Sequence, residues 1–143
     1  MIWLLRHAEA SHDAPDDASR ELTEAGRRQA ACAGEALAAL GVEIDLCLTS
    51  PKVRARDTAL LACQALGIKP EETDALRGGD FDPHELAAGR GEILLVGHEP
   101  DLSRAIQAAT GGRVRLRKGG LAAIGDSRLE LLLRPSDLAA ITG

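Results

Sequence analysis

Four residues of this sequence are of the types that bind and transfer phosphoryl groups: Arg6, His7, Arg54 and His98. Guanidinium groups form paired hydrogen bonds with phosphate oxygens and stay charged at any working pH. An imidazole flanked by such groups is held neutral, because adding a proton beside like charge is unfavourable. A neutral imidazole beside a bound phosphate is a nucleophile. The set therefore predicts attack of His7 on phosphorus.

Each member of this set follows a predicted strand. Short apolar runs predict buried strands over residues 2–5, 44–48 and 93–96. Arg6 and His7 follow the first strand, and His98 comes shortly after the third. After the second strand, Ser50-Pro51 predicts the start of a helix that carries Arg54 one turn further on. Ligands of open α/β sheets bind beyond the carboxyl ends of the strands, so we expect these side chains to converge on one rim.

Helical patterns separate the strands. A helix is predicted over residues 24–40, with Thr23 as its N-cap and Gly41 as its stop. Other predicted helices run from Ser50-Pro51 to about Leu66 before Gly67, over residues 101–109, after Pro83 in the weakly patterned segment 69–91, and from Pro135. Further strands are predicted over residues 113–117, 121–124 and 128–133. This order predicts an α/β fold: one domain, residues 1–143, with helices on both faces of a mostly parallel central sheet in a three-layer sandwich.

Composition narrows the classes of function. The chain has 143 residues and a net charge of -5, with one Trp, one Phe and no Tyr. Nucleic-acid binding is disfavoured, because the chain has neither a basic excess nor aromatic side chains on which bases could stack. No apolar run approaches the length of a membrane span, and the N-terminal apolar run is too short for a signal peptide. Three cysteines without a CxxC spacing predict free thiols in a reducing compartment, so we expect a cytoplasmic protein.

The motifs around these residues resemble a known family. Residues 6–10 read RHAEA and resemble the Arg-His-Gly signature of the histidine phosphatase (phosphoglycerate mutase-like) superfamily. Residues 20–30, 50–59 and 95–103 resemble, in the same order, its first-helix pattern and the segments that bear its second arginine and second histidine. The short chain and the sequence GHEP at residues 97–100 most resemble the SixA-type phosphohistidine phosphatases.

The resemblance implies a role for each matched residue. His7 would be the nucleophile that becomes phosphorylated, while Arg6, Arg54 and His98 would hold the oxygens of the transferring phosphoryl group. Water would then hydrolyse the phosphohistidine, so that one difficult step is divided into two. The resemblance implies no metal and no cofactor, because the pocket itself supplies the positive charge.

Two departures from the family pattern bear on the site. Ala8 stands where the family usually has glycine, which would cost about 1 kcal/mol if the position required a positive φ. The chain also lacks the inserted segment that carries an acidic proton donor in larger members. Glu99, which directly follows the second histidine, and Asp80 are the candidate donors.

The missing insertion favours one class of substrate. An imidazole leaving group, with a pKa of about 6.5, needs a proton much less than an alcohol does. The favoured substrate is therefore a phosphohistidine-bearing protein, and the alternative is a small phosphorylated metabolite hydrolysed by a general phosphomonoesterase. A noncatalytic phosphate-binding module is a third reading.

Other clusters have simpler interpretations. His12 lies near Asp13, Asp16 and Asp17, but their spacing matches no metal-ligand pattern, so we interpret the segment as a solvated loop. Arg113, Arg115 and Arg117 alternate as on the solvated face of a strand, and this face would also suit an acidic protein partner.

Overall fold

The computed structural model describes residues 1–143. Its strands are β1 (Ile2–Arg6), β2 (Leu46–Thr49), β3 (Glu71–Glu72), β4 (Ile93–Gly97), β5 (Leu121–Gly125) and β6 (Arg128–Leu133). Its α-helices are α1 (Glu24–Ala39), α2 (Val53–Leu66), α3 (Pro83–Ala87), α4 (Asp101–Thr110) and α5 (Pro135–Thr142). Two single-turn 3-10 helices cover Asp17–Ser19 and Asp74–Leu76.

The strands form one sheet of six, in the order β3-β2-β4-β1-β5-β6. Pairings from β3 to β1 are parallel, while β5 and β6 are added antiparallel at one side. The predicted α/β fold with a mostly parallel sheet is therefore confirmed. Because β2, β4 and β1 are parallel neighbours, their carboxyl ends meet at one edge of the sheet.

Helices cover both faces of the sheet, and alternation along β1 shows how. Trp3 and Leu5 pack in a core with residues of α1, α2 and α5. Ile2 and Leu4 point to the opposite face and pack with residues of α3 and α4. A strand that is buried on both faces has apolar residues at every position, which explains the unbroken apolar run in the sequence. The arrangement is the three-layer sandwich that the sequence predicts.

Local signals set the ends of the helices. Thr23 caps α1, because its side chain accepts a hydrogen bond from the N–H of Gly26. Gly67 ends α2 with φ 71°, a left-handed conformation that glycine adopts without strain. Gly34 lets α1 and α2 approach closely, since a Cβ on this residue would collide with the backbone of Ala62.

The structure corrects some predicted boundaries. Helix α2 begins at Val53, after Ser50-Pro51, and Ser50 instead accepts a hydrogen bond from the N–H of Lys52. Strand β2 begins at Leu46 rather than at residue 44. Strand β3 and the two 3-10 helices are absent from the sequence prediction, because elements of two or three residues give no periodic signal.

The strand predicted over residues 113–117 is wrong. This segment is a loop, and the backbone of buried Leu116 bonds to side chains instead of to a neighbouring strand. Its N–H donates to Glu99 Oε2 at 3.2 Å, and its carbonyl accepts from Arg6 Nη1 at 2.9 Å. Alternating arginines therefore reflect a loop with one buried anchor, not a pleated ladder. No helix anywhere in the chain combines the length and the apolar character needed to cross a membrane.

Candidate active site

The ends of three parallel strands bring the candidate residues together. His7 follows β1, and its N–H donates to the carbonyl of Gly97 at 3.0 Å. Ser50 follows β2, and its N–H donates to the carbonyl of Val96 at 3.0 Å. Both bonds extend the ladder by one residue, so His7 and Ser50 lie on either side of the end of β4. His98 follows β4 and stands between them.

The ring of His7 is buried and held in one tautomer. His7 is only 6% exposed, and its Nδ1 lies 2.8 Å from the carbonyl oxygen of Ala8. Because a carbonyl oxygen only accepts hydrogen bonds, Nδ1 carries the hydrogen and Nε2 keeps its lone pair. Burial above all, together with the charges of Arg54 and Arg6, lowers the pKa of His7 to about 4, although the bond to Ala8 acts in the opposite direction. The imidazole is therefore neutral and nucleophilic at pH 7.

His98 is a second neutral imidazole beside the first. The two ring centroids lie 5.3 Å apart. Nε2 of His98 is 2.8 Å from the hydroxyl oxygen of Ser50, which is fully buried. Burial lowers the pKa of His98 to about 3, with further contributions from His7 and Arg54. A ring with this pKa is uncharged at pH 7 and acts as a hydrogen-bond partner rather than as a cation.

Arg54 projects from the first turn of α2 and is 6% exposed. Its Nη1 donates to the backbone carbonyl of Asp17 at 2.7 Å, and its Nη2 to Asp17 Oδ2 at 3.2 Å. Lys52 Nζ lies 3.3 Å from the same carboxylate oxygen. Desolvation opposes ionisation of Asp17, but the bonds and charges of Arg54 and Lys52 outweigh it and lower the pKa to about 2. Asp17 is therefore an anion at the edge of the site.

Arg6, the last residue of β1, is half-buried. Its Nη1 donates to the carbonyl of Leu116 at 2.9 Å, which fixes the guanidinium against the loop of residues 113–118. Burial lowers the pKa of Arg6, the charge of Glu99 raises it and that of Arg115 lowers it. An arginine in this setting stays protonated, because its ordinary pKa is far above the working range.

Three buried nitrogens in the site have no hydrogen-bond partner: Nε of Arg6, Nε of Arg54 and Nδ1 of His98. No other buried side-chain polar atom of the chain lacks a partner. Buried polar groups are nearly always satisfied, so unsatisfied ones point to a strained or functional site. Two guanidinium N–H groups and an imidazole nitrogen fit an anion with several oxygens, such as a phosphoryl group.

The turn that carries His7 is supported from α2 by Thr58. The hydroxyl of Thr58 accepts from the N–H of Ala8 at 3.0 Å and donates to the carbonyl of Arg54 at 2.7 Å. Ala8 is fully buried and is not among the residues with positive φ. The alanine therefore stands in place of the family's glycine without backbone strain. Its carbonyl orients His7 while its N–H is held by Thr58.

Several other sequence candidates are placed differently. Glu99 is half-buried, and its two carboxylate oxygens accept from the N–H groups of Ser103, at 2.7 Å, and Leu116. Asp80 is exposed on the segment between the second 3-10 helix and α3, where it forms no hydrogen bond or ion pair. His12 is exposed, and no group of three or more His, Cys, Asp or Glu side chains is arranged to hold a metal ion.

Two contributors to the site, Thr58 and Asp17, are absent from the sequence prediction. Thr58 lies four residues after Arg54 on the same face of α2, a spacing that could have indicated it. Asp17 lies in an acidic loop that looked merely solvated, and its contact with Arg54 spans 37 residues of sequence. No pattern in the sequence around either residue indicates this contact between Asp17 and Arg54.

Comparison with known proteins gives consistent results. Residues 2–91 match the model of the histidine phosphatase superfamily (branch 1). An uncharacterized protein of Picosynechococcus sp. is 35% identical over 135 residues, which cover 84% of this chain and 81% of that protein. The crystal structure of a candidate phosphohistidine phosphatase SixA from Agrobacterium tumefaciens superimposes with a TM-score of 0.81 at 27% identity, covering 94% of this chain and 97% of that one. The protein histidine phosphatase SixA complexed with tungstate has the same fold, with a TM-score of 0.81 at 20% identity, covering 96% of this chain and 98% of that one.

Proposed function

The chain belongs to the histidine phosphatase superfamily and is a SixA-like phosphatase, and from that premise we propose that it hydrolyses phosphohistidine on a protein through a covalent phosphohistidine on His7. The observation that carries this proposal is the bond from His7 Nδ1 to the carbonyl of Ala8, 2.8 Å long. It commits the proton to Nδ1 and leaves the lone pair of Nε2 available to attack phosphorus.

The reaction proceeds in two displacements at phosphorus. In the first, Nε2 of His7 forms a bond to phosphorus while the bond to the leaving group breaks, and the leaving group departs with the bonding electrons and takes up a proton from solvent. In the second, water attacks phosphorus, the bond to Nε2 breaks with its electrons returning to the ring, and inorganic phosphate leaves after the attacking water has returned a proton to solvent. Arg6, Arg54 and His98 hold the oxygens on which charge spreads in both transition states.

Phosphohistidine is the substrate class that the acid groups of the site support best. The two oxygens of Glu99 already accept backbone N–H groups, and Asp80 is exposed and unpaired. Neither contact pattern favours a strong proton donor. An imidazole leaves with a pKa near 6.5 and needs little help, whereas an alcohol departing from an ester needs a donor. The similarity to the Agrobacterium protein points in the same direction.

We also propose that the enzyme requires no metal ion and acts in the cytoplasm. Two arginines at the phosphoryl site supply the positive charge that a metal ion supplies in other phosphatases. Residues 1–143 act as one histidine phosphatase domain, and the three free cysteines suit a reducing cytoplasm. The partner is a phosphorylated protein, while a small phosphorylated metabolite is the alternative substrate.

The test measures phosphate release from a phosphohistidine-bearing protein and from p-nitrophenyl phosphate, with a metal chelator present. Wild type, His7→Ala and His84→Ala are compared, because His84 is an exposed histidine on α3, outside the site. We expect faster release from phosphohistidine, abolished only in His7→Ala. Release from the ester alone would move the function to a general phosphomonoesterase. Equal release by His7→Ala would contradict the covalent mechanism, and phosphate binding without any release would indicate a binding module.

A further inference from the structure

A cavity of about 500 Å³ lies beside the phosphoryl site and shares only Arg6 with it. It is lined by Arg6, Gln29, Arg115, Arg117, Lys118 and Pro135. Four of these six residues are cations and none is acidic, although the chain as a whole has a net charge of -5. Arg115, Arg117 and Lys118 form no ion pair with any carboxylate of the chain. Three of the four cations are therefore concentrated here without an ion pair inside the chain.

The amide of Gln29 adds to this donor set. Its Oε1 accepts from the backbone N–H of Glu9 at 3.0 Å, which commits the oxygen and leaves the NH₂ group to donate. Every polar side chain that lines the cavity is thus a donor, and no side-chain acceptor opposes an incoming anion. Donor-only cavities with several guanidinium groups suit carboxylates and phosphates.

The loop that supplies Arg115, Arg117 and Lys118 is hydrogen-bonded to the backbone of Arg6 and His7. The N–H of Gly119 lies 3.2 Å from the carbonyl of Arg6 and 3.1 Å from that of His7. Gly119 has φ 77°, and a Cβ there would come within 3.2 Å of the Gln29 side chain, so the close approach depends on glycine. The cavity is therefore held at a fixed position relative to the phosphoryl site.

We propose that this cavity is a subsite for carboxylate side chains that flank the phosphohistidine of a protein substrate. The inference rests on the proposed function and adds to it the sequence character of the substrate. The lining has no hydrophobic residue, whereas pockets for small metabolites are mostly apolar with a few polar groups. A cavity of about 500 Å³ with four cations also accommodates more than one anionic group. Acidic residues on the surface of a protein supply several such groups without requiring an apolar enclosure.

The test compares two phosphohistidine peptides, one flanked by glutamates and the other by glutamines. Wild type, Arg115→Ala/Arg117→Ala and Lys118→Ala are assayed, with Arg113→Ala as the matched control from the same loop, because Arg113 does not line the cavity. We expect the double variant to lose about fivefold to tenfold in kcat/KM for the glutamate peptide. Hydrolysis of the glutamine peptide and of p-nitrophenyl phosphate should stay unchanged, as should all activities of Arg113→Ala. The preference for glutamate should weaken as salt is added.

Calorimetric binding of the same peptides to His7→Ala protein separates this proposal from the catalytic one. If no peptide is hydrolysed but the glutamate preference in binding is lost in His7→Ala/Arg115→Ala/Arg117→Ala, the subsite stands and the proposed function fails. The subsite proposal would be overturned if wild type hydrolysed and bound both peptides equally. It would also be overturned if Arg115→Ala/Arg117→Ala and Lys118→Ala both kept the wild-type preference for the glutamate peptide. Fructose 1,6-bisphosphate and fructose 6-phosphate form the last pair of probes. If Arg115→Ala/Arg117→Ala lost activity on fructose 1,6-bisphosphate alone, the cavity would bind a second phosphate group of a small substrate. That result would overturn its assignment to carboxylates of a protein.

Discussion

The rings of His7 and His98 lie with their centroids 5.3 Å apart and their planes inclined at 52°. Both side chains are buried, and Arg54 adds positive charge near both rings. Burial lowers the pKa of His7 to about 4 and that of His98 to about 3. The fold thus keeps two imidazoles neutral beside guanidinium groups, and this arrangement has consequences for stability as well as for catalysis.

The first prediction concerns stability against pH. An unfolded histidine has a pKa of about 6.5, so between pH 6.5 and about 4 the unfolded chain binds more protons at His7 and His98 than the folded chain. Their contribution is fully present above pH 6.5 and is lost as the pH falls. We expect each ring to lower the free energy of unfolding by up to about 1.4 kcal/mol per pH unit in this window. Urea unfolding at pH 7, 6 and 5 measures it.

The control for this prediction removes the titrating rings. His7→Gln/His98→Gln should show a shallower fall in the free energy of unfolding between pH 7 and 5 than wild type. His84→Gln, which replaces an exposed histidine, should retain the wild-type slope. Equal slopes in wild type and the double variant would show that carboxylates elsewhere cause the acid sensitivity.

The second prediction concerns Arg54. Arg54→Ala removes a guanidinium group from the phosphoryl site, and loss of one such donor lowers kcat by about 10²- to 10³-fold in other enzymes. We expect a reduction of that size in kcat/KM for p-nitrophenyl phosphate. Arg56→Ala is the matched control, because Arg56 pairs with Asp57 and its side chain is 41% exposed. A similar loss in both variants would assign the effect to α2 as a whole rather than to Arg54.

The convergence of Arg6, His7 and His98 is predictable from the sequence, because it depends on the order of elements along the chain. A polar residue after an apolar run indicates the end of a strand, as Arg6 and His98 do. Parallel neighbours then bring such ends together without further information. The strand predicted over residues 113–117 is wrong because alternating residue types have the same appearance in a strand and in a loop anchored at Leu116.

Contacts between distant segments were beyond the reach of local patterns. The acidic segment around Asp17 has the composition of a solvated loop, and only the folded chain brings it to Arg54. The bond between Thr58 and Ala8 likewise depends on how α2 packs beside β1, although the helical spacing from Arg54 hints at it. Hydrogen bonds that join residues far apart in sequence leave no periodic signal in either segment.

The third prediction concerns Thr58. Thr58→Val keeps the shape of the side chain but leaves the buried N–H of Ala8 without its acceptor. An unsatisfied buried donor costs about 1–3 kcal/mol, so we expect a loss of that size in the free energy of unfolding. We also expect kcat to fall more than KM changes, because the Ala8 carbonyl that orients His7 is no longer held in place. Thr58→Ser retains the hydroxyl and should restore kcat. Failure of serine to do so would show that the methyl group, not the hydrogen bond, is required.

The fourth prediction concerns Asp17. Its carboxylate pairs with Arg54 and Lys52, and in the proposed mechanism it places negative charge beside the phosphoryl group. Asp17→Asn removes this charge, while the backbone carbonyl of residue 17 still accepts from Arg54 Nη1. Because the side chain is 59% exposed, we expect only a modest effect: inhibition by inorganic phosphate should tighten by no more than about fivefold. Asp13→Asn, in the loop that precedes the 3-10 helix beginning at Asp17, should leave inhibition unchanged. Weaker inhibition in Asp17→Asn would show that the carboxylate chiefly positions Arg54.

The last prediction concerns the proton donor. Glu99 holds the N–H groups of Ser103 and Leu116, and the Leu116 carbonyl in turn accepts from Arg6. We therefore expect Glu99→Gln to act through the position of Arg6, because the new NH₂ group opposes one of the two N–H donors. It should raise KM for p-nitrophenyl phosphate and leave the basic limb of the pH–rate profile in place. Asp80→Asn should change neither quantity, since this side chain is exposed and unpaired. Disappearance of the basic limb in one variant alone would identify that residue as the general acid, since this limb follows ionisation of the group that supplies the proton.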